Sequence, residues 1–140
     1  RSTQGVSSAA SDVYKRQDLQ YDKWHIKYSK LTEICQGGPL VGNLIINGQN
    51  VFSDKSFGGP LLYFDNIVIV PMFTHKIFVS GFKLSIIELG TMRLRLEKGF
   101  YDLIYLDRIE ENRVLFYQDM NRNKLHTKSI DSIRLNFPEN

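Results

Sequence analysis

The sequence predicts an all-β fold: an antiparallel meander of eight to ten short strands joined by tight hairpins, arranged as a sandwich, a small barrel or a partial propeller-like array. Three observations carry this expectation. Ile67-Val68-Ile69-Val70 is an unbroken β-branched run, which suits a strand covered on both faces and would be an aggregation hazard at a sheet edge. Asn47-Gly48 and Asp65-Asn66 separate short apolar runs, and these residues tolerate the left-handed backbone of a two-residue hairpin turn. No long segment places its apolar residues along one helical face.

Residues 1–17 stand apart from the rest. Ser7 to Gln17, SSAASDVYKRQ, resembles the in-frame translation of a transposase sequencing adapter, codon for residue, and Arg1-Ser2-Thr3 resembles the flow-cell primer that precedes that adapter. The bases between the two match the length of an index barcode. Segment 1–17 is therefore set aside as a non-native, disordered addition, as a tag would be. Residues 18–140 read as a single β domain, open to N-terminal truncation, so that an export signal upstream of Asp18 is compatible with the sequence.

The correction changes the charge. Without Arg1, Lys15, Arg16 and Asp12, the 18 basic and 15 acidic residues become 15 and 14, a net of +1 in place of +3. A near-neutral chain gives no electrostatic argument for a nucleic-acid or membrane partner. Pro71, Thr74, His75 and Lys76 interrupt the most apolar stretch well short of the ~18 residues that span a bilayer. Cys35 is the single cysteine, which rules out an internal disulfide and leans toward a reducing, cytoplasmic setting. Abundant Ile, Asn, Lys, Phe and Tyr are what AT-rich codons produce and point to a microbial source.

Taken in order, Trp24, Ile26 and Tyr28 alternate with His25, Lys27 and Ser29, predicting a strand over Lys23–Tyr28 in preference to a helix. Leu40–Ile46 is a strand, Asn47-Gly48 its turn and Gln49–Phe52 its return. The string GGPL occurs at Gly37–Leu40 and Gly58–Leu61, each before a strand and a tight turn, which raises an internal repeat as a question. Leu61–Phe64 and Ile67–Val70 form the hairpin around Asp65-Asn66. Lys76–Leu89 is too long for one flat strand and is expected to bend at Ser80-Gly81. Met92–Glu97 alternates apolar and charged residues, as in a half-wet strand. Asp102–Ile109 then pairs with Arg113–Asp119 across Glu110-Glu111-Asn112, and Lys124–Ile130 and Ile133–Phe137 are the last expected strands.

Chemistry is sparse. His25, His75 and His126 are widely separated and none has a Cys or second His at ligand spacing, so no metal site is assigned. Cys35 beside Gln36-Gly37-Gly38 reads as an inert, partly buried thiol, since no histidine is placed locally as its base. The glycine pairs lead into proline and a strand, unlike a phosphate loop, and no cofactor is implied. The expectation is a non-catalytic binding protein that covers a protein partner, in the manner of an immunity protein on a toxin. Its contact face would be Tyr101, Tyr105, Arg108, Arg113 and Tyr117, because Tyr and Arg are favoured interface anchors. One alternative is a hydrolase using carboxylates of the C-terminal hairpins, Asp102 or Asp119 with His126. The other is single-stranded nucleic-acid binding on a face of Arg93, Arg95, Arg108 and Arg113 with the tyrosines, which the neighbouring Glu97, Asp107, Glu110, Glu111 and Asp119 argue against.

Overall fold

The structure, a computed structural model, describes residues 18–75 and 77–135. Within them, eleven strands and one short helix build two antiparallel sheets. The larger sheet holds β1 (Leu19–Tyr21), β2 (Trp24–Glu33), β3 (Leu40–Ile46), β4 (Ser56–Phe57), β5 (Leu62–Phe64), β6 (Ile67–His75), β7 (Ser80–Glu88) and β8 (Arg93–Leu96). Its order is β1-β2-β3-β4-β6-β7-β8, with β5 also paired to β6. The smaller sheet, ordered β11-β10-β9, holds β9 (Tyr105–Glu110), β10 (Arg113–Tyr117) and β11 (Leu125–Ser129), and helix α1 (Ile130–Arg134) follows it. Neither sheet closes into a barrel among the described residues.

Strand β6 organises the molecule. Its β-branched run feeds two cores: Ile67 and Ile69 point into one, Val68 and Val70 into the other. The first lies between the sheets, where Phe82, Leu84 and Ile86 of β7 meet Leu106, Val114 and Phe116 of the small sheet and Ile130 and Ile133 of α1. In the second, Trp24, Ile26, Leu44 and Ile46 from β2 and β3 lie over Val68, Val70, Met72 and Ile87. The large sheet therefore folds back on itself. Two local features make the corner. The β2–β3 register shifts between Ser29 and Thr32, where Lys30 takes a φ of 57°, and a Cβ on Gly42 opposite would stand 2.5 Å from the Ser29 carbonyl. Beyond the corner, β3 pairs with β4 through Gly42 and Phe57 alone.

Pro71 lies inside β6, a position that normally forbids a central strand. Its nitrogen faces the gap between β5, which pairs with Ile67–Ile69, and β4, which pairs with Met72 and Phe73. Its carbonyl accepts from Gly58 N–H at 2.8 Å, and the missing N–H falls where the ladder is already broken.

Four expectations need correction. Gln49–Phe52 does not return as a strand: only Gln49 bridges Ile46, because the Asn43 side chain donates to the Ser53 and Lys55 carbonyls and holds the following loop instead. The two GGPL units thus differ in architecture. Ser80-Gly81 is not a bulge, since β6 and β7 form one hairpin in which His75 pairs with Ser80 and Thr74 with Gly81. The expected strand beginning at Ile133 is helix α1, whose first turn is capped by Ser129 Oγ accepting from Ser132 N–H. The count of strands exceeds eight to ten because β1 and β4 are three and two residues long. Segment 1–17 and the end of the tail lie outside the described residues.

Candidate interaction surfaces

Strand register decides which side chains of the small sheet face outward. Val114 and Phe116 of β10, with Leu106 and Ile109 of β9, turn into the core between the sheets. The alternate positions form rows on the opposite face. Tyr105, Tyr117 and Leu125 make one row, Arg108, Leu115 and Thr127 the next, and Glu110, Arg113 and Ser129 the third. Between Leu106 and Arg108 the register shifts, leaving Asp107 as the extra residue.

The outward face is charged at one end and aromatic at the other. The Arg108 guanidinium donates to Glu110 Oε2 at 2.9 Å and also pairs with Asp107, contacts that raise it above the ordinary guanidinium value, Glu110 first. Arg113 Nε donates to Thr127 Oγ1 at 2.9 Å. At the aromatic end the Arg122 guanidinium lies 5.2 Å from the Tyr105 ring centre, which leaves Tyr105 buried beneath it while Tyr117 is half-buried.

Four of the five residues expected to share a contact face, Tyr105, Arg108, Arg113 and Tyr117, are thus brought together, and Tyr101 is not. Its backbone pairs with Phe82, and its ring packs edge-on against Phe116 at 5.5 Å, beside the core between the sheets. Its hydroxyl donates to Glu97 Oε1 at 2.9 Å; burial and this carboxylate push the phenol up to about 12.

The residues of the other readings are dispersed. Asp102 is exposed, Asp119 Oδ1 accepts from Asn123 N–H within its own turn, and His126 stacks on Phe116 at 5.8 Å. Arg95 donates to Glu88 Oε2 at 3.2 Å on the large sheet, away from Arg108 and Arg113. Cys35 is exposed, contrary to the expectation of partial burial, because it sits in the turn closed by Gly38 N–H on its carbonyl. Among the described residues no group of three His, Cys, Asp or Glu side chains is placed to hold a metal ion, and no helix is long and apolar enough to cross a membrane.

A second surface was hidden in the sequence. At the turn of the β6–β7 hairpin, Ile77, Phe78 and Val79 are 85, 95 and 51% exposed. The signal was an apolar triplet too short for a strand, set between Thr74-His75-Lys76 and Ser80-Gly81. Comparison of the chain with protein-family models, with curated proteins and with solved structures finds no match.

Proposed function

We propose that the protein is a non-catalytic binding module that covers a protein partner with the outer face of its small sheet. The observation supporting this is the register that gathers Tyr105, Arg108, Arg113 and Tyr117 on one rigid, strand-borne face. Such a face suits recognition: Tyr gives large contact area with few rotatable bonds, Arg a planar fork of donors, and the backbone that carries them is already fixed in the paired strands β9 and β10. Arg108 and Arg113 are tied to neighbours on the same face, so their donors are oriented before any partner arrives. A toxin-like protein encoded beside this one is the first partner to assay, since an immunity protein acts by covering its cognate toxin.

Arg113 and Tyr117 are the residues to change, because Tyr105 is buried and its loss would confound folding with binding. Arg113→Ala and Tyr117→Ala are each expected to weaken a purified partner at least tenfold in titration calorimetry while leaving the thermal midpoint in place. Unchanged affinity in the double variant would overturn the proposal.

A further inference from the structure

The β6–β7 hairpin ends in a surface of different chemistry. Ile77, Phe78 and Val79 are consecutive and exposed, so they form one apolar patch and not the scattered single residues that any surface carries. The base beneath them is held firmly. His75 pairs with Ser80 across the hairpin, Phe82 N–H donates to the Tyr101 carbonyl at 2.6 Å, and Tyr101 N–H returns a bond at 2.9 Å. A Cβ on Gly81 would stand 2.6 Å from that same carbonyl and 2.9 Å from the Phe100 ring, so the neighbouring loop is packed directly against the base of the turn.

We propose that this apex inserts into the interfacial layer of a lipid bilayer and anchors the protein reversibly to a membrane surface. Area is the first reason to choose lipid over a second protein. Three partly exposed side chains offer on the order of 500 Å², short of the ~800 Å² that each side of a stable protein interface contributes. Shape is the second: the apex is convex and narrow, and a fluid interface accepts apolar groups to a depth of ~5–10 Å without a complementary pocket. The border supplies the third. The chain turns polar on both sides of the triplet, at His75 and Lys76 before it and at Ser80 after it in the sequence, as an element seated at the boundary between acyl chains and water requires. Lys55, at the same end of the sheet by the pairing of Ser56 with Phe73, is matched by Asp54, and residues 18–140 carry 15 basic and 14 acidic side chains, a net of +1. Lys76 alone falls short of the ~4–8 basic residues that recognise anionic headgroups, so insertion is driven by apolar burial.

Phe78→Trp supplies a reporter, since the native Trp24 is buried at the far end of β6 with its indole N–H on Asn66 Oδ1 at 2.6 Å. Added phosphatidylcholine vesicles should shift its emission to the blue, brominated acyl chains should quench it, and salt should leave both effects unchanged. In vesicle co-sedimentation, Phe78→Ser should partition roughly tenfold or more weakly than the native chain. Arg113→Ala with Tyr117→Ala should sediment like the native chain, which separates this anchor from the protein-binding face. The proposal is overturned by an unchanged emission, by equal sedimentation of Phe78→Ser and the native chain, or by binding confined to phosphatidylserine-containing vesicles and abolished by salt. A dimer that forms without vesicles and is lost in Phe78→Ser would overturn it too, by assigning the apex to a second copy.

Discussion

The two ends of the β6–β7 hairpin are built from the same kinds of side chain and have opposite fates. From Ile67 to Val70, and from Phe82 to Ile87, the apolar residues are at most 2% exposed, while Ile77 and Phe78 at the turn are 85 and 95% exposed. Composition is therefore no guide to burial along this hairpin. Near its open end both faces are covered, one by the small sheet and one by β2 and β3, whereas at the turn the strands have run past both covering layers. An apolar residue is part of a core only where another layer reaches it.

Two phenylalanines four residues apart test this contrast most sharply. Phe82→Ala should cost about 3–5 kcal/mol in denaturant unfolding, the usual loss for a fully buried aromatic. Phe78→Ala should change stability by no more than about 0.5 kcal/mol, as expected for a side chain without native contacts. Comparable losses in the two variants would mean that the turn packs against something and that the contrast is false.

A smaller effect separates the base of the turn from the apex by its response to pH. The Tyr101 phenol, raised from 10.0 to about 12 by burial and the Glu97 carboxylate, stays protonated in the folded chain over a range where the unfolded chain ionises. Its contribution is complete below pH 10 and is lost as the pH rises from 10 to about 12. Thermal midpoints measured across that window should therefore fall less steeply for Tyr101→Phe than for the native chain, and parallel slopes would remove Tyr101 as the cause. The smallest effect is at Thr74, one residue before His75, whose hydroxyl is buried without a hydrogen-bond partner. Thr74→Val removes that orphan and should stabilise by about 1 kcal/mol; a destabilised variant would show that the hydroxyl is satisfied.

Alternation and turn chemistry made the central part of the fold legible. The four-residue run of β6 demanded cover on both faces and has it, and Asn47-Gly48 and Asp65-Asn66 all take the left-handed backbone their turns require. Expectations failed where distant partners decide. Gln49 was expected to lead a strand, but Asn43 satisfies the carbonyls of the loop that follows. Tyr101 has the composition of a face residue, yet its bridge to Phe82, nineteen positions earlier in sequence, carries it to the other side of the small sheet. The helix at Ile130 carries local signals, Ser129 at its cap, Asp131 in the first turn and Ile130 and Ile133 three apart, but it is too short for helical periodicity to outweigh the β-branched residues. Period two reads the outward face of β10 directly, as Arg113, Leu115 and Tyr117, but on β9 the extra residue Asp107 inverts the alternation, so that Tyr105 and Arg108, three apart, share the outer face while Ile109 joins Leu106 in the core.

The single backbone pairing of Gly42 with Phe57 sets how the molecule comes apart. Strands β1 to β3 form a hairpin assembly joined to the rest of the ladder at one residue, and are otherwise held by side-chain packing and by side-chain hydrogen bonds: the Tyr28 hydroxyl on the Gly58 carbonyl, the Trp24 indole on Asn66, the Tyr63 hydroxyl on Asp22 and the Asn43 amide on the Ser53 and Lys55 carbonyls. Such a unit opens as a piece, at a free energy below that of global unfolding. Amide protons of β2 and β3 would then exchange with deuterium together, ahead of those shared by β6 and β7. Each opening bares Val68, Val70 and Met72, so proteolysis and self-association of this protein would begin with the lifting of one flap and not with the melting of its centre.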